Sequence, residues 1–400
     1  MSDYDVAVIG AGPAGMAAAT TAAGAGLRVL LLDEQGHPGG QIYRHVDAAS
    51  EASRQRLGGD YAAGLTLTRA LGASDLDYRR NSNVWRIDAG GDLCWSEQGT
   101  GRRARAERIV LATGAIERPV PIPGWTLPGV LGAGAAQILL KQHELAPTRA
   151  VLAGCGPLLY LVAAQLIAAD RPPLALVETT SRNHALAAAR HWRGALAGRA
   201  LLMKGLGLLN VIRRAGVKRY RGAQNLRIET AGDDLRLHWQ EDTRARQFDA
   251  GTVLLHQGVI PNVQASLALG LEHEWDARQR CLRPRVDDVG RTREERVRIA
   301  GDGAGIGGAK VAELAGRQVA LQIAHELKAL DAATLASQSA SLHRAIARER
   351  APRAFLDTLY APDPALTNPP DETLVCRCED VSAADIRRYA ALGCSGPNQL

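Results

Sequence analysis

Short apolar blocks, each closed by glycine, set the rhythm of this chain. The first is Val6-Ala7-Val8-Ile9, followed by Gly10-Ala11-Gly12-Pro13-Ala14-Gly15. This order predicts a buried strand, a tight turn and a helix, then a second strand over 27–32 that ends on Asp33. Residues 108–114 predict another buried strand, ending in Ala112-Thr113-Gly114. Residues 149–156 predict one that closes on Gly154-Cys155-Gly156-Pro157, ahead of an apolar helix and a strand over 174–177 that ends in Glu178. Residues 252–255 run as a strand into Gly258-Val259-Ile260-Pro261-Asn262. Residues 296–302 end in Ala300-Gly301-Asp302-Gly303, with a helix expected from about 310 to 327. Alternating strand, turn and helix units mean a parallel α/β architecture. Two glycine turns of this type predict two Rossmann-like dinucleotide-binding domains.

The spacing of the first turn carries chemistry. Gly10 permits the sharp exit from the strand, Gly12 lets backbone N–H groups approach a pyrophosphate, and Gly15 removes a side chain where helix meets sheet. The helix entered through Pro13 and Ala14 offers unpaired N–H groups and a partial positive charge to phosphates. Asp33 ends the second strand at the distance suited to a ribose. Glu34 and Gln35 beside it, and Val84, complete the candidate nucleotide contacts in this part of the chain. In the second turn Gly154 and Gly156 are in place, but Leu159 stands where a third glycine would be. Glu178 is a candidate ribose acceptor that disfavours a 2′-phosphate by like-charge repulsion. NAD, another adenine nucleotide and an empty structural domain remain open as readings of that second fold.

Proline-rich residues 116–128 suit a crossing between domains, and a return crossing is expected near 280–290. The first domain is therefore expected to be discontinuous, 1–115 with 285–358, and the second to span 116–284. Residues 359–372, rich in proline, suit a semi-rigid linker, and 373–400 a separate small module with helical content. Residues 185–221 suggest an Arg- and Leu-rich helical contact element.

Composition narrows the partners. A chain of 400 residues exceeds one ordinary core. Hydrophobic content of 46% and charged content of 22% suit a soluble globular protein. The net charge of +6 comes with only 4% aromatics and dispersed arginines, which excludes a nucleic-acid partner. Residues 102–105 and 291–298 are expected as solvated hairpins. Both uncharged stretches, 6–27 and 151–169, contain a Gly-x-Gly-Pro element near their start that would break a spanning helix, so no transmembrane segment is expected. Asp3 and Asp5 before the first apolar run argue against a secretory signal. Six cysteines without extracellular spacing suit a reducing compartment, and the cytoplasm is the expected location. No cluster has zinc spacing, and no catalytic residue is assigned; His45 and His256 lie near motif elements without a stated role.

Taken together, Gly10-x-Gly12-x-x-Gly15, Ala112-Thr113-Gly114 and Gly301-Asp302 resemble the three-part FAD signature of two-dinucleotide-domain flavoproteins. The resemblance implies that Asp302 holds the ribityl or phosphate part of FAD, and that Gly308 and Ala309 approach the flavin ring at a helix N-terminus. Pro38-Gly39-Gly40-Gln41-Ile42 resembles the loop lying along the flavin in thioredoxin-reductase-like proteins. Gly40, Gln41, Tyr43 and Arg44 would then face the cofactor, with Arg44 placed to stabilise a reduced anionic flavin. No CxxC pair is present around Cys94, Cys155 or Cys281, so thiol–disulfide exchange is not expected.

A narrower resemblance rests on Gly39-Gly40-Gln41-Ile42-Tyr43-Arg44, Ala112-Thr113-Gly114-Ala115-Ile116-Glu117-Arg118-Pro119, Gly124-Trp125-Thr126-Leu127-Pro128-Gly129-Val130 and Cys376-Arg377-Cys378-Glu379-Asp380-Val381. These are similar to the alpha subunits of opine oxidases, of hydroxyproline and proline dehydrogenases, and of hydrogen cyanide synthase. The resemblance implies an electron-transfer subunit that partners an amine-oxidising, FAD-containing beta subunit whose substrate is a small molecule. A small ferredoxin-like subunit is a further candidate partner. Cys376-x-Cys378 resembles the first half of a bacterioferritin-associated-ferredoxin-type [2Fe-2S] site, which needs four thiolates. The family's second pair is not in the sequence, which stops at Leu400, and Cys394 does not match a ligand position. Truncation of the sequence and loss of half the site are the two readings. A self-contained NADH:acceptor reductase and a nucleotide-holding scaffold stand as alternative functions.

Overall fold

The first apolar block folds as β1 (Tyr4–Ile9), and the glycine turn delivers the chain into α1 (Pro13–Gly24). Proline suits the first helical position, where its missing N–H has no intrahelical partner to lose. The strand β2 (Val29–Leu32) lies parallel to β1, with Val8 opposite Leu31. All four of its side chains are buried, as expected of a strand covered on both faces. The computed structural model describes residues 2–394 and 396; residues 395 and 397–400, beside Cys394, lie outside the described residues.

Next come β3 (Asp77–Arg79), β4 (Ser82–Ile87), β5 (Asp92–Glu97) and β6 (Thr100–Leu111). The long β6 belongs to two arrangements, and its sequence shows why. Its first half, with arginines at 102, 103 and 105, pairs antiparallel with β5, placing Arg102 opposite Trp95. Its last half, Ile109-Val110-Leu111, is continuously buried and pairs parallel with β1 and with the late strand Val297–Ile299. The sheet runs β3-β2-β1-β6, with the late strand on the far side of β6 and β5-β4 continuing from its solvated half.

The same design recurs once. Parallel strands follow the order Lys218–Arg221, Ala175–Glu178, Ala150–Cys155, Thr252–Gln257, Val130–Gly132. An antiparallel meander of Ala223–Ala231, Asp234–Glu241 and Arg244–Ala250 accompanies them. The expected α/β class with two Rossmann-like sheets is what the chain forms.

Two compact units result. The first holds the chain up to Ile116, Leu196–Gly198 and Val259–Arg353; the second holds Glu117–Ala195, Arg199–Gly258 and the chain from Ala354 onward. The return to the first unit comes at Val259 rather than near 285, because Leu271, with Ala265 and Leu269 against it, packs into the same core as Ile9, Leu32, Leu111 and Ile299. The segment after 358 is not a free spacer. Tyr360 and Leu366 pack against the second unit's cores, and Pro364–Thr367 forms a 3-10 turn.

Residues 185–221 resolve into helices Arg182–Ala189, Trp192–Ala197 and Arg199–Arg214, then Lys218–Arg221, an edge strand where the sequence suggests helix. Residues 291–298 are not wholly solvated either. Arg298 is buried, and its guanidinium reaches Glu326 at 2.9 and 3.0 Å. Among the described residues no helix is long and apolar enough to cross a membrane.

Candidate functional site

In the first unit, local geometry around the glycine turn dictates what can approach it. A side chain at Gly15 would collide with the carbonyl oxygen of Gly10, so α1 can press against the strand end only because that position is bare. Gly40 has φ +58°, and a Cβ there would lie 2.8 Å from Cα of Gly12. The loop carrying Gly39 and Gly40 therefore lies directly on the turn, fastened by Gly39 N donating to Ala11 O at 2.8 Å. No side chain caps α1, so its first-turn N–H groups donate no hydrogen bond to a capping side chain.

Distant elements converge here. The carbonyl of Ala112 stands beside Gly10, and Gly301 abuts Ala14 of α1. Thr113 Oγ1 donates to Asn262 O at 3.1 Å, and Asn262 N to Gly114 O at 2.9 Å. Asp302 Oδ1 accepts from the amides of Gly307 and Gly308 at 2.8 and 2.9 Å. This brings the start of helix Ala309–Glu326, also without a side-chain cap, to the same cluster. At the helix's other end, Glu326 binds Arg298, Arg108 and Arg291. Burial alone would raise the Glu326 carboxyl, but the three guanidiniums together hold it below its ordinary range.

Asp33 is turned inward. Its carboxylate accepts from Ala11 N and, at 2.7 Å, from Gln35 N; burial nevertheless pushes the carboxyl above its ordinary range. The exposed carboxylate beside it is Glu34, whose Oε1 accepts from Gln35 Nε2 at 3.0 Å. Arg44, only 8% exposed, donates to Gln35 Oε1 at 2.6 Å and to Gln41 Oε1 at 3.0 Å, while its Nε has no partner. Burial lowers its pKa, offset in part by Asp33 and Glu34. Its guanidinium thus ties Gln41 of the glycine loop to Gln35 beside Asp33. Val84 packs against the first unit's core from β4.

In the second unit, Gly154 and Gly156 open the turn as expected. Leu159 is fully buried in a core with Leu152 and Leu254. Glu178 is 2% exposed and already engaged: Arg219 donates from Nε at 2.6 Å and from Nη2 at 3.0 Å, and Tyr160 Oη at 2.8 Å. Sequence reasoning missed both partners; Arg219 lies on the edge strand that it assigned to helix. It also missed a pair formed by buried His256 and half-buried Glu117, Nδ1 against Oε1 at 2.6 Å, with Glu117 accepting from Gly134 N at 3.0 Å. Glu117 stood within a motif, yet nothing in the linear pattern ties it to His256.

Of the candidate metal ligands, Cys376 ends the strand Leu374–Cys376, which pairs antiparallel with Val381–Ser382, and Cys378 lies in the turn that joins the two. Arg377 between them stacks on Trp125 at 4.5 Å, and Trp125 Nε1 donates to Leu374 O at 2.6 Å. Among the described residues no group of three or more His, Cys, Asp or Glu side chains could hold a metal ion. The residues present do not fit a [2Fe-2S] cluster, which takes four ligands.

The sequence profile described as pyridine nucleotide-disulphide oxidoreductase matches residues 4–318. The A subunit of opine oxidase from Agrobacterium tumefaciens (strain Ach5) is 42% identical over 407 aligned residues, covering 99% of this chain and 80% of that protein. The HcnB subunit of hydrogen cyanide synthase from Pseudomonas aeruginosa is 33% identical, covering 96% of this chain and 85% of that protein. Among solved structures, L-proline dehydrogenase from P. horikoshii superposes with a TM-score of 0.66 at 18% identity, over 98% of this chain and 67% of that one. Thioredoxin reductase from T. acidophilum gives 0.57 at 17% identity, over 82% of this chain and all of the other. These two structural likenesses concern the fold.

Proposed function

The chain belongs to the pyridine nucleotide-disulphide oxidoreductase family, and from that premise we propose that it is the FAD-binding, electron-transferring subunit of a heteromeric complex that oxidises a small amine or imino acid. Its relatives are themselves named as subunits: the A subunit of opine oxidase, the HcnB subunit of hydrogen cyanide synthase and the alpha subunit of sarcosine oxidase. The observation that carries the reading is the cradle of the first unit, where Ala112–Gly114, Gly301–Asp302 and the Gly40 loop close on one glycine turn.

Bound FAD would supply a carrier able to take two electrons and release them one or two at a time. The chain's own residues do the rest. Bare Gly12 and the uncapped N–H groups of Ala14 and Gly15 in α1 would receive the pyrophosphate. Asp33 braces the turn from inside, leaving Glu34 to accept from ribose hydroxyls. Asp302 holds the Gly307–Gly308 amides and keeps Oδ2 for the cofactor's chain, and the N-terminus at Gly308–Ala309 offers positive potential to a charged ring. Hydride abstraction from the carbon next to nitrogen falls to the partner flavoprotein, so this chain needs no general base. Cys376 and Cys378 would provide two of the four thiolates that a [2Fe-2S] cluster takes. The complex resides in the cytoplasm.

The test is co-expression with an amine-oxidase-like flavoprotein from the same organism. Substrate-driven dye reduction by the complex, absent from either chain alone, is the expected result. Amine oxidation by this chain alone, or a colourless chain that gains no flavin in the complex, would overturn the proposal.

A further inference from the structure

A dinucleotide that binds a fold of the second unit's kind crosses the ends of the parallel strands, with pyrophosphate on the glycine turn and ribose on the acid that ends the next strand. Each of those places already has an occupant from the chain itself. The acid comes first. A carboxylate offers about four lone-pair sites, and Glu178 has three taken by Arg219 Nε, Arg219 Nη2 and Tyr160 Oη. Arg219 also neutralises its charge and lies over the Tyr160 ring at 5.6 Å.

The turn comes second. Cys155, between the two glycines, points Sγ at Gln257 Oε1 at 3.1 Å, while Gln257 Nε2 donates to Thr179 Oγ1 at 3.2 Å. This bridges the ends of three strands. Above it lie the carbonyls of Tyr360 and Ala361, 3.6 and 3.9 Å from the same sulfur. They present oxygen lone pairs where a pyrophosphate would have to sit.

The Tyr360 ring comes third. It packs on Tyr160 at 6.1 Å between centroids and belongs to the core around Leu159 and Leu166. An aromatic ring beside the ribose acid fills the place of a nucleoside. The strap is tied at both ends, by Tyr360 N donating to Leu356 O at 2.9 Å and by Leu366 in the neighbouring core.

We propose that Tyr360 and Ala361 are a built-in occupant of the second dinucleotide fold, so that this unit is closed to NAD and NADP as folded. The residues present do not fit a pyridine nucleotide, although the family is one that binds them. The inference is independent of the amine-oxidising reading. It requires only that electrons do not enter this chain from NADH through the second unit.

The experiment is equilibrium binding of NADH and NADPH, each to 1 mM (a ceiling of about −4 kcal/mol of affinity), with hydrogen exchange across residues 154–160 and 356–362. Flavin content of the same preparation is measured separately, so failure of the first-unit cradle cannot be mistaken for failure here. In the wild-type chain no saturable binding and unchanged exchange are expected. Micromolar binding, or new protection at the second turn on adding nucleotide, would overturn the proposal. Tyr360→Ala should open the subsite, giving saturable binding at about 0.1 mM or tighter, at least tenfold below the 1 mM limit set for the wild-type chain, and faster exchange at the turn; an unchanged profile would also overturn it. Tyr360→Phe keeps the ring and should remain closed, which separates occupancy from a hydroxyl contact.

Discussion

The two units are one architecture used twice, and they differ where a nucleotide would touch them. In the first, Asp33 is held by backbone amides of Ala11 and Gln35, neutral donors that leave a neighbouring carboxylate at the surface. In the second, Glu178 is held by a guanidinium and a phenol, which quench its charge and bury it. The first turn receives a loop with no side chain at its closest point, Gly40. The second receives a strap that brings a tyrosine ring. A Rossmann-type sheet with its glycines in place is therefore a permission to bind, and the side chains arriving from elsewhere decide whether it is used.

Importing the second unit's leucine into the first breaks the comparison most severely. Gly15→Leu has no room against the Gly10 carbonyl. It should cost about 3 kcal/mol or more in urea unfolding and remove FAD from the purified chain, read by visible absorbance. Arg219→Leu should come next, since Glu178 is left buried without its cation. A loss of about 3–5 kcal/mol is expected. The double variant Glu178→Leu with Arg219→Leu should recover most of it, because the pair is a structural filling; failure to recover would mean that Glu178 has another task.

Asp33→Asn sharpens the contrast with a smaller effect. Burial holds the Asp33 carboxyl above its unfolded value, so the native state binds more protons than the unfolded state between the two values. Stability from this group is therefore fully present below the unfolded pKa and lost as pH rises through the folded one. The asparagine variant should flatten that part of a denaturation series from pH 3 to 7, with a change near 1 kcal/mol at neutral pH. The smallest effect concerns thiols. Burial raises Cys155 to about 12, so it should resist a thiolate-selective reagent at pH 8 in the native chain, whereas exposed Cys378 should react at once. Equal labelling rates would show that the strap opens readily.

Much of the geometry around the first glycine turn was legible because it is local. Gly10, Gly12, Gly15 and Asp33 sit within one strand-turn-helix-strand unit, where spacing and geometry are nearly the same thing. Ala112–Gly114 and Asp302 could be placed through resemblance, and the register of β6 with β1 and with Val297–Ile299 brings them together. The partners of Arg44 were not legible, since a loop side chain has no fixed acceptor until the fold brings Gln35 and Gln41 within reach. Nor was the fate of Glu178, whose partner arrives on a strand read as helix. Residues 360–370 looked like a spacer from their prolines, yet tyrosine and leucine within them find apolar partners that composition does not display.

The linear order of residues determined that there would be two parallel sheets with glycine turns, because periodicity and turn chemistry act over a few neighbours. Tertiary structure alone decided which turn stays open, because burial and charge pairing depend on groups far apart in the chain: Arg219 on Glu178, and Tyr360 over Cys155.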